Sequence, residues 1–353
     1  MIYNMSLENT NIYKMKSLIS PIELKAKLPI SKEIAEFVIK TREDIKNIIK
    51  HKSNKKLFVV GPCSIHNIEE AFEYGKKLKV VADNIKDHIL IVMRVYFEKP
   101  RTTVGWKGLI NDPDLNDSCD VNKGLYLARK LLLHLNSIGV PCGYEVLDTI
   151  TPQYISDLIS WGAIGARTTE SQVHRQLVSG MSMPVGFKNG TGGSKKIAVD
   201  GILSAKFPHC FMGISDTGQA NICYTNGNQH CHLILRGGQD SSNYHDEDIE
   251  EANDLMGTLD HSIMIDCSHA NSQKNYRNQP RVFRTVLNKF QKYPSIIGVM
   301  LESNINEGNQ KLTHNLKYGV SITDSCMSFE QTEILLMEAV DFCKQRFLQN
   351  SLF

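Results

Sequence analysis

Eight short apolar segments, each followed by a polar loop, constrain the fold of this 353-residue chain most strongly. They are rich in valine and isoleucine and run without polar alternation, as strands buried on both faces of a parallel sheet do. The segments cover residues 57–60, 89–95, 140–146, 163–166, 184–187, 231–235, 262–265 and 296–301. Segments with helical spacing lie between or after them, at 68–82, 121–135, 152–159, 280–290 and 329–347. This alternation predicts a (β/α)8 TIM barrel, because eight parallel strands favour closure over an open doubly wound sheet.

Two parts of the sequence lie outside this alternation. Residues 1–50 form an N-terminal extension with a predicted helix at 31–49. Residues 209–227 have the pattern of two strands around Asp216-Thr217-Gly218, which predicts a β-hairpin inserted before the sixth barrel strand. The barrel itself is therefore assigned to residues 51–353.

Composition excludes several classes of protein. Lysine and arginine number 40 against 38 aspartate and glutamate, which argues against a nucleic-acid coat or a polybasic membrane binder. No apolar run approaches the roughly 18 residues of a transmembrane helix, and the N-terminus lacks the apolar stretch of a signal peptide. Nine cysteines without a CxxC pair are typical of a reduced compartment. We expect a cytoplasmic protein with no nucleic-acid and no membrane partner.

Polar side chains stand where most of the apolar segments end. Because active sites of barrels are built at the carboxyl ends of the strands, these side chains are predicted to share one site. An isolated buried charge is costly, and one or two charged residues at strand ends would be ordinary partners of the surrounding helices. The number found here instead indicates a shared polar site. The rim residues are Cys63, Arg94, Lys99, Arg101, Glu145, Arg167, Lys188, Arg236, His269 and Glu302.

Six of these residues are cations, and they indicate anionic ligands. Arginine matches phosphate and carboxylate with two parallel hydrogen bonds, and lysine supplies a point charge. One or two phosphorylated substrates are the natural inference. The alternative is that each cation pairs with a carboxylate at the same rim. The cations are Arg94, Lys99, Arg101, Arg167, Lys188 and Arg236.

The remaining rim residues include a mixed set of metal-binding groups. Cys63, His269 and Glu302, with Asp324 in the loop SITDSC, offer a thiolate, an imidazole and two carboxylates. The oxygen ligands suit manganese or iron, while sulfur and nitrogen also admit cobalt, zinc or copper. The alternative for Cys63 is a small buried hydrophobic residue. No GxxxxGK[ST] or GxGxxG motif occurs, so nucleotide binding has no support.

The strand-end motifs together resemble one enzyme family. In chain order they are GPCSIH, MRVYFEKPRTT, GYEVLD, GARTTESQVHR, PVGFKNGT, HLILRGG, DCSHANS, EGNQ and GVSITD. The set is similar to the type I 3-deoxy-7-phosphoheptulonate synthases, over about residues 18–347. The resemblance implies condensation of phosphoenolpyruvate with erythrose 4-phosphate and release of phosphate, the first step of the shikimate pathway to aromatic amino acids.

The resemblance also implies a role for each matching residue. Cys63, His269, Glu302 and Asp324 would bind a divalent metal, with manganese, iron or cobalt favoured and zinc possible. Lys99 would donate a proton near the aldehyde, and Glu145 would orient that lysine or a water. Phosphoenolpyruvate would lie against Arg94, Lys99, Arg167, Lys188 and Arg236. The phosphate of erythrose 4-phosphate would meet Arg101 and Thr102.

Regulation and assembly are implied in the same way. Family members are inhibited by an aromatic amino acid at a site away from the metal, built partly from the hairpin. The hairpin sequence HCFMGISDTGQ is similar to that of tyrosine-sensitive isoenzymes, and Gly213 leaves room for a phenolic hydroxyl, so we predict inhibition by tyrosine. Alternatively, Gly213 is only a turn residue. The N-terminal extension would serve assembly or regulation of a homodimer or homotetramer. The matching effector positions are Pro152, Gln153, Ser182, Phe211 and Gly213.

One departure and two alternatives remain open. The family usually has NGTDG where this chain has Asn189-Gly190-Thr191-Gly192-Gly193, so the conformation of the loop after Lys188 is uncertain. A related synthase that uses arabinose 5-phosphate is disfavoured by the long KPRTT stretch and the hairpin. A non-catalytic barrel that senses aromatic amino acids is disfavoured by the four retained metal ligands.

Overall fold

The computed structural model describes residues 7–101, 103–239 and 241–350. Eight parallel strands close into a barrel in the order β1-β10-β9-β8-β5-β4-β3-β2, and β6 and β7 form a separate two-stranded sheet. The strands are β1 (Lys56–Gly61), β2 (Ile89–Arg94), β3 (Cys142–Val146), β4 (Trp161–Ile164), β5 (Val185–Lys188), β6 (Cys210–Ile214), β7 (Ala220–Tyr224), β8 (Cys231–Leu235), β9 (Ile263–Asp266) and β10 (Ile296–Glu302). The predicted barrel is confirmed.

Barrel closure depends on β1, which pairs in parallel with both β2 and β10. Several predicted strand boundaries were displaced by one or two residues, and two of these displacements have a local reason. β3 begins at Cys142 rather than at residue 140, since Pro141 has no N–H to donate to the ladder. β4 ends at Ile164 rather than at 166, because the carbonyl of Gly165 already accepts turn hydrogen bonds from Thr168 and Thr169.

Helices surround the barrel. They are α1 (Pro21–Lys27), α2 (Lys32–Ile49), α3 (Ile68–Ile85), α4 (Val121–Ser137), α5 (Pro152–Ile155), α6 (Gln172–Ser179), α7 (Lys195–Ala205), α8 (Asp246–Met256), α9 (Gln279–Leu287) and α10 (Phe329–Asn350). The single helix predicted at 152–159 is instead α5 followed by a 3₁₀ turn at Ser156–Leu158. Among the described residues, no helix is long and apolar enough to cross a bilayer.

The N-terminal helix α2 closes one end of the barrel. Its residues Ile45, Ile48 and Ile49 are buried in the apolar cluster that contains Leu57 and Trp161 from the barrel strands. Burial of each isoleucine side chain contributes about 1.5–3 kcal/mol. The opposite end, where the strands reach their carboxyl termini, is therefore the end open to ligands. The division of the chain into an extension and a catalytic barrel stays a prediction.

The hairpin is inserted before β8, the sixth strand of the barrel, as predicted. β6 and β7 pair antiparallel, with Phe211 opposite Cys223. Its turn contacts the N-terminal segment: Lys25 Nζ lies 2.9 Å from Asp216 Oδ1, and the Ile22 N–H donates to the Asp216 carbonyl at 2.8 Å. The extension and the hairpin are thus joined in one surface structure.

Candidate active site

Three of the four predicted metal ligands meet at the open end of the barrel. The Cys63 Sγ and one carboxylate oxygen each of Glu302 and Asp324 lie within 4.8 Å of one another. Cys63 follows β1, Glu302 ends β10, and Asp324 lies in the loop before α10. Closure of the barrel between β1 and β10 therefore brings Cys63 next to two residues that lie 239 positions or more further along the chain.

His269 lies next to this group. Its Nε2 is 3.7 Å from Glu302 Oε1, while its Nδ1 is 2.8 Å from Asp266 Oδ2. Ser268 Oγ is also 2.8 Å from Nδ1. A carboxylate that fixes Nδ1 leaves Nε2 available to a metal, the arrangement seen around metal-binding histidines. The backbone of His269 is in the left-handed region, with φ of 52°, which is uncommon outside glycine.

The chemistry of these donors fits a divalent metal. A buried thiol, two carboxylates and an imidazole supply soft and hard ligands in the set typical of transition-metal sites. Burial, and next the charge of Glu302, raises the pKa of the Cys63 thiol to about 11. Burial would also raise the pKa of Asp324, but the charges of Lys99 and His269 lower it overall. A thiol held protonated in this way needs a further cation before it can act as a thiolate.

Glu302 is fixed by contacts on both its side chain and its backbone. Arg94 Nη2 lies 3.1 Å from Glu302 Oε1, and both side chains are buried. Gln279 accepts from the Glu302 N–H at 2.9 Å and donates to its carbonyl at 3.0 Å. Arg94 also stacks 3.9 Å from the centre of the Tyr96 ring. Removing one partner of such a buried pair costs about 3–5 kcal/mol, so Arg94 is part of the framework as well as of the rim.

Lys99 reaches the metal-ligand group from β2's loop. Its Nζ lies 3.1 Å from the Cys63 carbonyl oxygen and 3.3 Å from Cys63 Sγ. Burial would lower the pKa of Lys99, but the charges of Cys63 and Glu145 raise it overall. The ammonium form therefore persists at neutral pH beside the thiol.

Lys188 and Glu145 form a second buried group. Lys188 Nζ lies 3.8 Å from Glu145 Oε2 and 3.5 Å from Asp266 Oδ2. Burial would raise the pKa of Glu145, but Lys188 and Lys99 lower it overall, so the carboxylate is ionised. A Cβ at position 165 would lie 2.4 Å from Glu145 Oε1, which explains why glycine follows β4.

Four of the six predicted cations fall into two groups according to the partner that each contacts. Arg94 and Lys188 pair with carboxylates, as the alternative interpretation of the sequence had it. Arg101 and Arg236 instead donate to the backbone carbonyls of Trp106 and Gly237. Arg167 and Arg236 line one cavity of about 700 Å³. Arg101 is exposed on the loop after β2, and Thr102 lies outside the described residues.

Asn189 positions the end of β8 and with it Arg236. Its Oδ1 accepts from the Arg236 N–H at 2.8 Å, and its Nδ2 donates to the Gly237 carbonyl at 2.9 Å. The NGTGG loop that follows keeps room for a side chain, because a Cβ at Gly192 would meet no atom within 4 Å. Packing would therefore allow, at position 192, the acidic side chain that the family usually carries there.

A second cavity, of about 500 Å³, lies under the hairpin. All five residues predicted to bind an effector line it: Pro152, Gln153, Ser182, Phe211 and Gly213. Cys223 also lines it, and a Cβ at Gly213 would lie 2.7 Å from the Cys223 Sγ. Tyr154 on α5 donates its hydroxyl to the Ile19 carbonyl at 2.7 Å, which ties the N-terminal segment to this region.

Sequence reasoning missed three residues that shape the site. Asp266 holds His269 and Lys188, and its position at the end of the buried strand β9 was a signal that could have identified it. Tyr96, under Arg94, directly follows the predicted apolar segment 89–95 that contains the arginine. Gln279 had no signal, because its two hydrogen bonds to Glu302 join residues 23 positions apart on different elements.

Comparison with known proteins agrees with this geometry. Residues 28–337 match the model of the DAHP synthetase I family. The Tyr-sensitive phospho-2-dehydro-3-deoxyheptonate aldolase of Escherichia coli is 49% identical, over 94% of this chain and 95% of its own. The Phe-sensitive enzyme of the same organism is 48% identical, over 97% and 99%. The structure of the aldolase from Francisella tularensis matches with a TM-score of 0.93 and 47% identity, over 95% of this chain and 99% of that one.

A match of this extent confirms the family predicted from the motifs. The chain belongs to the DAHP synthetase I family.

Proposed function

We propose that this chain condenses phosphoenolpyruvate with erythrose 4-phosphate and water, giving 3-deoxy-D-arabino-heptulosonate 7-phosphate and phosphate. The reaction follows from membership of the family. The observation that supports it most directly is the convergence of Cys63, Glu302 and Asp324 within 4.8 Å, with Lys99 Nζ 3.3 Å from the Cys63 thiol.

Cys63, His269, Glu302 and Asp324 would hold the divalent metal. Manganese, iron or cobalt suits the two carboxylates, and zinc would suit the thiolate and imidazole. When bound, the metal supplies Lewis-acid polarisation of the substrate aldehyde. The chain contributes the orientation of this set, through the contacts of Asp266 with His269 and of Arg94 with Glu302.

The cations of the rim offset the repulsion between two phosphorylated substrates. Arg94, Arg167, Lys188 and Arg236 would bind the carboxylate and phosphate of phosphoenolpyruvate, and Arg101 and Thr102 the phosphate of erythrose 4-phosphate. Holding both reactants in one orientation converts a bimolecular encounter into a step within the site.

Lys99 and Glu145 would carry the proton chemistry. C3 of phosphoenolpyruvate forms a bond to the aldehyde carbon, and the aldehyde oxygen takes a proton from Lys99. Water then adds at C2, and the bond between C2 and the oxygen that carries the phosphoryl group breaks to release phosphate. The proton that the water loses balances the proton that Lys99 gives. Glu145, ionised and 3.8 Å from Lys188, would orient Lys99 or the water.

We further propose that tyrosine inhibits the enzyme by binding under the hairpin. The support is the cavity of about 500 Å³ lined by Pro152, Gln153, Ser182, Phe211 and Gly213. Overall identity does not distinguish tyrosine from phenylalanine sensitivity, at 49% and 48%. The assignment therefore rests on the hairpin sequence and on the space at Gly213.

A homodimer or homotetramer in the cytoplasm completes the proposal. Met212 and Tyr224 on the hairpin are 91% and 80% exposed, which suits a surface that another copy covers. Eight of the described cysteines, including the buried Cys63 and Cys142, are free thiols, which agrees with a reducing compartment. Sedimentation of the purified chain would measure the assembly.

Phosphate release from the two substrates tests the reaction. We expect release with both substrates present, loss of release after treatment with a chelator, and recovery when manganese or cobalt is added. Release with arabinose 5-phosphate instead of erythrose 4-phosphate would assign the chain to the related eight-carbon synthase. Absence of release with every metal, together with binding of tyrosine, would favour the non-catalytic sensing barrel.

A further inference from the structure

The cavity that contains Arg167 and Arg236 extends beyond the residues that the proposed reaction uses. Its lining also includes Lys274, in the loop after His269, and Arg281, in the first turn of α9. The volume of this cavity is about 700 Å³, which exceeds that of the cavity under the hairpin. Lys274 and Arg281 are both exposed, and we call them the outer cations. The proposed reaction gives neither of them a role.

Lys274 and Arg281 have no salt-bridge partner among the described residues, although the charge of Lys274 helps to lower the pKa of Asp324. Among the described residues that line the cavity there is no carboxylate, and neither cation forms a salt bridge within the described part of the chain. Arg284, three residues further along α9, pairs with Glu338 at 2.8 Å. Arg277, four residues before Arg281, lies 5.5 Å from the centre of the Tyr276 ring. The neighbouring arginines thus have partners that Arg281 lacks.

The backbone at Lys274 is held in an uncommon conformation. His269, Gln273 and Lys274 have φ values of 52°, 56° and 58°, three left-handed non-glycine residues in one loop. Such conformations are costly and are concentrated at binding and catalytic sites. The same loop places Lys274 against the crevice that contains His269 and Asp324, so Lys274 adjoins the predicted metal ligands.

We propose that Lys274 and Arg281 form an outer subsite for a phosphate dianion, beside the inner site at Arg167 and Arg236. The arginine fork matches two phosphate oxygens, and the lysine adds a point charge. The dianion has two sources in the proposed reaction: the inorganic phosphate that is released, or the phosphate of an arriving substrate. The identity of these two sources rests on the proposed function. The existence of the subsite is inferred from the cavity and its charges.

Calorimetric titration of the metal-loaded chain with inorganic phosphate tests the subsite. The inner site is first saturated with phosphoenolpyruvate, with no aldehyde present. The titration is run in an Arg101→Gln background, so that the predicted site for the erythrose 4-phosphate phosphate does not bind inorganic phosphate as well. We expect binding to persist under these conditions and to weaken about tenfold in Arg281→Gln, as loss of a charge-assisted hydrogen bond predicts. Lys274→Gln should weaken phosphate binding similarly, and it is compared with wild type at equal metal content, because the charge of Lys274 also acts on Asp324.

Arg277→Gln is the matched control, since Arg277 is an exposed arginine four positions away that is not among the described residues lining the cavity. Phosphate binding that is absent in the presence of phosphoenolpyruvate, or equal in Arg281→Gln and Arg277→Gln, would overturn the proposal. Failure of phosphoenolpyruvate itself to bind would count against the proposed function, and titration with phosphate alone would then decide the subsite.

Steady-state kinetics separates the two sources of phosphate. If the subsite receives the product, Arg281→Gln raises the inhibition constant of inorganic phosphate and leaves kcat/KM for phosphoenolpyruvate unchanged. If it captures an arriving substrate, kcat/KM falls, and the fall diminishes as salt screens the charge. If Arg281→Gln and Arg277→Gln have the same inhibition constant for phosphate and the same kcat/KM, the subsite has no part in the reaction and the proposal fails.

Discussion

Lys99 Nζ lies 3.3 Å from the Sγ of Cys63 and 3.1 Å from the carbonyl oxygen of the same residue. The predicted proton donor and a predicted metal ligand are therefore in direct contact. The charge of Lys99 opposes the rise in the pKa of the Cys63 thiol, and the proposed mechanism also assigns the Lys99 ammonium to protonation of the aldehyde oxygen. The two functions can be separated by substitution.

Replacing Lys99 with methionine removes the ammonium and keeps most of the side-chain volume. We expect kcat to fall by about 10²–10⁴, the usual contribution of a general acid. The measurement is the initial rate of phosphate release. Lys107→Met is the control, because Lys107 contributes only its backbone carbonyl, which accepts from the Lys99 N–H at 2.8 Å. Full turnover in Lys99→Met would remove the lysine from the mechanism.

Replacing Cys63 with alanine removes the sulfur ligand. We expect the purified variant to retain less than one tenth of the bound metal, measured by elemental analysis after gel filtration, because a three-donor site binds transition metals more weakly. Cys142→Ala is the control: that thiol is equally buried, in β3, but has no predicted ligand role. Equal metal content in the two variants would show that Cys63 is only a packed side chain.

Replacing Gly213 with serine tests the inhibitor site. Its Cβ would lie 2.7 Å from the Cys223 Sγ, so the thiol must move and the cavity changes shape. We expect the inhibition constant of tyrosine to rise about tenfold, which corresponds to about 1.4 kcal/mol. Gly192→Ser, at a glycine with open space around its Cβ, should leave inhibition unchanged. If wild-type enzyme is inhibited more strongly by phenylalanine or tryptophan, the tyrosine assignment is wrong.

Glu98 predicts a pH dependence of stability. Burial, and next the charge of Asp148, raises the pKa of Glu98 to about 8, and Thr151 donates to its Oε1 at 3.2 Å. The folded state therefore holds a proton that the unfolded state loses near pH 4.5. The free energy of unfolding should fall from about pH 5 to pH 8, by at most about 1.4 kcal/mol per pH unit from this group.

Urea unfolding at several pH values measures this effect. Glu98→Gln, which cannot ionise, should flatten the decline relative to wild type. Glu36→Gln, at an exposed position on α2, should retain it. A wild-type decline that is identical in Glu98→Gln would show that the Glu98 carboxyl is ionised in the folded protein.

The barrel could be predicted from the sequence because its strands are buried on both faces. Most apolar segments then end at or near a polar residue, such as Arg94 at the end of β2 or Glu302 at the end of β10. Knowing that these ends share one rim was enough to group Cys63, Glu302 and Asp324. The short helices α6, α7 and α8 were not predicted individually, whereas α9, of nine residues, was.

The contacts that orient the site could not be predicted, because they depend on rotamers and on loops. The approach of Asp266 to His269 Nδ1 requires a left-handed backbone at His269, which no sequence pattern indicates. The pairing of Lys188 with both Glu145 and Asp266 joins three strands at once. Sequence therefore identified which groups meet, while the structure was needed to show which of them compensate one another's charge.

X-ray absorption spectroscopy of the metal-loaded chain tests the central claim most directly, since it reports which atoms surround the ion. One sulfur together with nitrogen and oxygen neighbours is the result that Cys63, His269, Glu302 and Asp324 predict, and the sulfur should disappear in Cys63→Ala. A shell of oxygen and nitrogen alone in the wild-type chain, or a sulfur signal that survives the substitution, would contradict the account.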